Sequence, residues 1–249
     1  MIIDAHCHMG VSWLGWQRVG ISMERLLEIY NTLGIDKACL NAWQIPYDTE
    51  GGNKEVYELK KKYPNQIIGF GIVCPRDRSR ALDEVHRCVQ DYGFKGLKLH
   101  PTINSYMVDS TLVDPIMDLA EKYSLSVLIH SQNDGYSHPR MIAALAKRHP
   151  ATSVIIGHMG EDAWVEAVEM VKKHTNLYLD TTGIPNEVYI IPTAVAEVGA
   201  NRIVWGSDSP VLNAAVELSR ITSADLYGKI TEKDKNLILG GNIARILSI

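Results

Sequence analysis

The chain has 249 residues, 46% of them hydrophobic and 22% charged, with a formal net charge of −4. That balance excludes a disordered or fibrous chain and gives no basic footprint for nucleic acid. Its longest apolar runs, such as 126–129 and 153–157, are strand-sized and far short of the roughly 20 residues a membrane helix needs, and no leader precedes Asp4, so a single domain over residues 1–249, cytoplasmic and without a membrane partner, is expected.

In chain order, a β-rich run at 2–6 is followed by a helical pattern at 22–33, with Ser22 as N-cap and Leu26, Leu27, Tyr30 and Leu33 on one face. The alternation continues with strands at 37–42, 67–73, 96–100, 126–130, 153–157, 176–181 and 202–206. Between and after them lie helical patterns at 53–63, 80–92, 112–123, 139–148, 162–174, 187–198 and 210–218, then a final one at 231–247 capped by Thr231. Gly34, Gly93, Gly199, Pro64 and Pro150 supply stop signals. Alternating βα units imply a parallel sheet. Eight of them fill a closed ring, and no G-x-G-x-x-G follows any strand, so the expected fold is α/β, a single (β/α)8 TIM barrel rather than an open doubly wound sheet. Cys7, Cys39, Cys74 and Cys88 form no C-x-x-C pair and read as reduced, packed thiols.

Polar residues cluster where strands end, the position at which barrels carry their chemistry. His6 and His8 leave the first strand two residues apart, so their side chains share a face and can bind one metal ion. Alternation turns Cys7 to the other face and would leave Asp4 on theirs, as an acceptor able to orient a histidine or, equally, as part of a buried network elsewhere. His130 ends the fifth strand as a further candidate ligand. His158 ends the sixth after Gly157, either as a second-metal ligand or, preferably, as an acid and electrophile facing the substrate. Asp208 ends the eighth and can serve as both ligand and general base. It also suits a helix cap before Pro210, a role better matched by Ser209. The fourth strand offers Lys98 and His100, each readable as a substrate contact or as a satisfied interior group. Trp13, Trp16, Trp43, Arg76, Tyr136 and Arg140 follow strand exits and would suit a small, partly apolar carboxylate, with Trp16 and Trp43 preferred.

The segments D-A-H-C-H at 4–8, G-L-K-L-H-P at 96–101, I-H-S at 129–131, G-H-M-G at 157–160 and W-G-S-D-S-P at 205–210, with the ending at 238–244, resemble the amidohydrolase superfamily. The closest likeness is to its amidohydrolase 2 branch, which includes decarboxylases and lactonases. The resemblance covers nearly the whole chain. It implies His6, His8, His130 and Asp208 as metal positions and His158 as the group that polarises substrate or shuttles a proton. The fourth strand lacks a bridging glutamate, and an interior ion pair or anion contact is preferred for Lys98 over a carboxylated lysine, so one divalent ion is expected, zinc ahead of manganese. The leading expectation is hydrolysis of a small amide, ester or lactone by metal-bound hydroxide, with Asp208 as base. The alternatives are non-oxidative decarboxylation of an aromatic or enoic acid, metal-free lactone opening, and a non-catalytic binding barrel. A small-molecule substrate is the expected partner, and a homodimer is open.

Overall fold

The computed structural model describes every residue except 10, 15, 16 and 44–47, and describes the backbone alone at 11–14 and 17–19. In chain order the elements are β1 (Ile3–His8), β2 (Val11–Leu14), β3 (Gln17–Gly20), α1 (Met23–Leu33), β4 (Lys37–Asn41), α2 (Thr49–Lys62), β5 (Ile67–Ile72), α3 (Ser79–Gln90), β6 (Gly96–Leu99), α4 (Pro101–Asn104) and α5 (Asp114–Lys122). There follow β7 (Ser126–Ile129), α6 (Pro139–Arg148), β8 (Val154–Ile156), α7 (Trp164–Lys173), β9 (Leu177–Asp180), α8 (Ile190–Val198), β10 (Ile203–Val204), α9 (Ala214–Thr222), α10 (Glu232–Asn236) and α11 (Asn242–Leu247).

Eight strands form one parallel sheet in the order β1-β4-β5-β6-β7-β8-β9-β10. The ring closes where the Ala5 amide donates to the Trp205 carbonyl (3.0 Å), the His8 amide to Ser209 (2.8 Å) and the Asp208 amide to His6 (2.8 Å). The fold is therefore the expected (β/α)8 barrel. Its strands are buried on both faces, which is why they read as continuous apolar runs. Ile3, Ala5, Cys39, Phe70, Leu128 and Ile155 belong to an inner cluster, which Ile243 and Leu247 of α11 join. Leu97 and Leu99 face outward into the larger cluster beneath the helices, and Lys98 between them faces inward. All four cysteines are free and buried, and Cys7 packs against the helix layer as expected.

Local signals explain most boundaries. The Ser22 hydroxyl accepts from the Arg25 amide at 3.2 Å, and Gly34 ends α1 in a left-handed conformation. Thr231 and Asp234 form a reciprocal capping box at α10, and the final helical run continues through a π turn at 237–241 into α11. After β1, β2 and β3 pair as an antiparallel hairpin, with Trp13 on β2. Two expectations are corrected. The helix expected at 210–218 begins instead at Ala214, capped by Asn213. Asp208 adopts φ 52, and its carbonyl receives the Val211 and Leu212 amides, so a turn occupies 208–212 and Ser209 caps nothing. Among the described residues no helix is long and apolar enough to cross a membrane.

Candidate metal centre and active site

The site begins with an irregularity in β1. Asp4 pairs with Ala38 and Cys7 with Leu40, so three steps of β1 oppose two of β4. This bulge resets the alternation. Ile3 and Ala5 fill the interior, His6 and His8 still point into the mouth of the barrel, and Asp4 and Cys7 both turn to α1, where the Tyr30 hydroxyl meets each. Asp4 thus does not share the histidines' face and orients neither ring. It accepts the backbone amides of His6 (3.0 Å) and Ser207 (2.9 Å) together with the hydroxyls of Tyr30 and Ser207. That arrangement ties the exit of β1 to the segment carrying Asp208. Burial pushes the Asp4 carboxyl up to about 6, against the pull of the Ser207 and Tyr30 hydrogen bonds.

Three groups converge at the mouth. His8 Nε2 lies 2.9 Å from Asp208 Oδ1, and His6 Nε2 lies 3.5 Å from the same oxygen. Asp180, at the end of β9, holds His6 from the other side: its Oδ2 is 2.7 Å from His6 Nδ1. A carboxylate on Nδ1 fixes the ring and leaves the Nε2 lone pair available, the arrangement typical of metal-ligating histidines. Lys98 Nζ, 2.7 Å from His6 Nε2, engages that lone pair. His8 Nδ1 is buried with no hydrogen-bond partner among the described residues. The candidate ligand atoms of His6, His8 and Asp208 all lie within 4.8 Å of one another. Two imidazole nitrogens and a carboxylate oxygen suit zinc or manganese, and the residues fit a divalent ion.

The other expected residues surround this set. His158 sits with its ring centroid 4.9 Å from those of both His6 and His130. Its backbone is left-handed, φ 54, and its amide donates to Asp180 Oδ2 at 3.2 Å. Its Nδ1 faces the Thr182 carbonyl at 3.3 Å; donation there leaves Nε2 as the lone-pair nitrogen. Gly157 permits the turn, since a Cβ there would stand 2.7 Å from the Ile129 carbonyl oxygen. His130 stacks on His100 (3.8 Å between centroids), and its Nε2 lies 3.0 Å from Gln132 Oε1, so it borders the site without joining the three-residue cluster. His100 caps α4 through Nδ1 and faces the same cavity.

That cavity, about 240 Å³, is bordered by His8, Asp208, Lys98 and Trp43, whose ring meets His8 edge-on at 4.8 Å. Ile103, Leu212, Gly183 and Glu161 complete much of the wall. Trp16 falls outside the described residues. The loop arginines are placed elsewhere: the Arg76 guanidinium donates to the Asn104 and Ser105 carbonyls, and Arg140 is exposed beside Glu166. Tyr136 is also exposed and does not border the cavity.

Burial disfavours protonation of the His8, His158, His130 and His100 imidazoles. Burial, reinforced by the charges of His6 and Lys98, lowers His158 to about 3 and His130 to about 4, and burial with neighbouring imidazoles lowers His100 further still. Burial brings Lys98 down to about 8 in spite of Asp208 and Asp180. Burial opposes the charge of Asp208 and Asp180, but hydrogen bonds and charge from the histidines outweigh it. Asp208 is held far below the usual carboxylate range and Asp180 at about 2. Neutral imidazoles and ionised carboxylates are the forms that coordinate. His158 and Asp208 also hold positive φ, as do Met159 and Glu161 next to His158.

Asp180 was not among the residues singled out in the sequence, although it ends an apolar strand just as Asp208 does. Asp180→Asn is expected to weaken divalent-metal affinity by about 10- to 100-fold, because the amide no longer fixes the His6 tautomer. Metal titration followed by calorimetry checks this, and unchanged affinity would remove Asp180 from the site.

A closed parallel barrel with a buried histidine–aspartate constellation at the C-terminal ends of its strands defines an enzyme of the metal-dependent (β/α)8 class. The amidohydrolase family model, Amidohydro_2, matches residues 3–249, and the chain belongs to that family. It is 24% identical, over an alignment 255 positions long, to gamma-resorcylate decarboxylase of Polaromonas sp., covering 79% of this chain and 75% of the relative. It is also 24% identical to L-fucono-1,5-lactonase of Burkholderia ambifaria, over 53% of this chain and 51% of that one. In fold it matches a dihydroxybenzoic acid decarboxylase of Polaromonas sp. JS666, solved with manganese and the inhibitor 2-nitroresorcinol, at a TM-score of 0.76 and 18% identity over 99% of this chain and 96% of that one.

Proposed function

We propose that this enzyme is a metal-dependent, non-oxidative decarboxylase of a small aromatic or enoic carboxylic acid. This reverses the order of the sequence-based expectations, which ranked hydrolysis first. The observation that carries it is the similarity to gamma-resorcylate decarboxylase across 79% of the chain, against 53% for the lactonase. The cavity agrees: about 240 Å³ suits a single ring, and Trp43, Ile103 and Leu212 give it apolar walls.

In this reading His6, His8 and Asp208 hold the ion, with His130 the fourth donor expected from the family pattern. Zinc and manganese both suit the donors, and the manganese in the Polaromonas structure supports including the latter. A divalent cation held by these residues would supply positive charge toward the substrate carboxylate. Asp180 and Lys98 bracket His6 and hold its ring. Trp43 and Leu212 exclude water from the ring face. His158 is the proton carrier: it borders the cavity, with Nδ1 toward the Thr182 carbonyl, and hands a proton to the carbon that loses carbon dioxide. The step balances, since one proton enters the substrate carbon as the C–CO2 bond breaks. Solvent then restores the proton to His158.

A panel of hydroxybenzoates and enoic acids, assayed for carbon dioxide release with zinc or manganese, tests the reading against a parallel panel of sugar lactones. Release from at least one acid, abolished by chelation and restored by metal, is expected. Lactone opening without release would transfer the assignment to hydrolysis, the reading the Burkholderia relative supports.

A further inference from the structure

Residues 181–186 follow β9 and carry Thr182 and Gly183 past His158. Gly183, at φ +60, borders the cavity, and a Cβ there would stand 3.2 Å from His158 Nδ1. Behind this loop, α9 presents Glu217 and Arg220 one turn apart. Pairs at this spacing ordinarily sit in solvent, but the side chains here are 4% and 18% exposed. Glu217 Oε1 accepts from Arg220 Nε at 3.3 Å, its Oε2 is buried without a hydrogen-bond partner among the described residues, and the Gly183 amide favours its charged form. Arg220 reaches the same loop with both remaining nitrogens: Nη1 donates to the Pro185 carbonyl at 3.2 Å and Nη2 to Asn186 Oδ1 at 2.6 Å. Burial works against this carboxylate and pushes it up to about 7, with Arg220 opposing that rise and Asp180 adding to it. A carboxylate buried against such resistance, with its partner gripping two successive loop positions, Pro185 and Asn186, acts on the loop rather than on α9.

We propose that Glu217 and Arg220 are positioning residues that seat the 181–186 loop against His158, fixing the cavity wall and the direction of the imidazole without touching substrate. Only the meaning of that wall rests on the decarboxylase reading. The clamp itself is testable on the full chain without any substrate.

The experiment compares Glu217→Gln and Arg220→Lys with the parent by hydrogen exchange and by 15N resonances of the His158 ring. The first variant keeps shape but loses charge. The second keeps charge but loses the fork that reaches Pro185 and Asn186, so both should loosen the loop. Exchange of the amides of 181–184, 186 and 187 is expected to rise roughly tenfold or more, as for one lost charge-assisted hydrogen bond, with the barrel strands unchanged and the His158 ring signals shifted. Unchanged loop protection, protection lost equally across the strands, or unmoved His158 signals would each overturn the proposal. Failure of the decarboxylation panel leaves these readouts intact, so the two readings fail separately.

Discussion

Asp208→Asn is expected to reduce turnover by about 10³-fold, within the range for removal of a group acting directly on proton or charge at the reacting centre. The side chain keeps its size, and asparagine tolerates the left-handed backbone at φ 52 nearly as well as aspartate. The Asp208 amide retains its bond to the His6 carbonyl, so the β1–β10 closure should survive and the melting temperature change little. What disappears is the charge that both His6 Nε2 and His8 Nε2 approach. Bound metal, measured by elemental analysis, should therefore fall together with turnover. Turnover at the parent rate would exclude Asp208 from the chemistry altogether.

His158→Asn is expected to produce a loss of the same order, about 10²- to 10⁴-fold in kcat, with metal content unchanged. Asparagine again suits the backbone, here at φ 54, so the comparison isolates the imidazole. The two variants divide the site between its roles. A variant that loses activity and metal marks the donor set, whereas one that loses activity alone marks the substrate side. If His158→Asn also emptied the metal site, His158 would belong with the ligands instead.

The barrel was readable because strands covered on both faces leave unbroken apolar runs, and the helices between them carry their own start and stop residues. Ser22, Gly34 and Thr231 acted as their chemistry requires. The strand-end histidines and Asp208 were readable for a related reason: a polar group closing an apolar run has few places to go except the mouth of the ring. Features that depend on pairing between distant segments were hidden. Alternation alone put Asp4 beside His6 and His8, whereas the pairing of β1 with β4 turns it toward Tyr30. Asp180 carried the same strand-end signal as Asp208, but only its approach to His6 reveals its role. The left-handed turn at Asp208, which displaces α9 to Ala214, has no marker in the residues around it. Nothing in the sequence marks Glu217 and Arg220 as a buried pair, and Arg220 lies past the helix expected at 210–218.

The extra residue in β1 makes one strand obey two phases. From Ile3 to Ala5 its inward positions are set by the demands of an apolar interior, and from His6 to His8 by the demands of coordination. Sequence change can therefore act on one half without imposing itself on the other: interior volume can drift at Ile3 while the spacing of the imidazoles stays fixed, and ligand type can be exchanged at His6 without repacking the ring below. A strand in perfect register would couple the two. The irregularity is thus a partition, separating what keeps this barrel folded from what can be rewritten to give it another reaction.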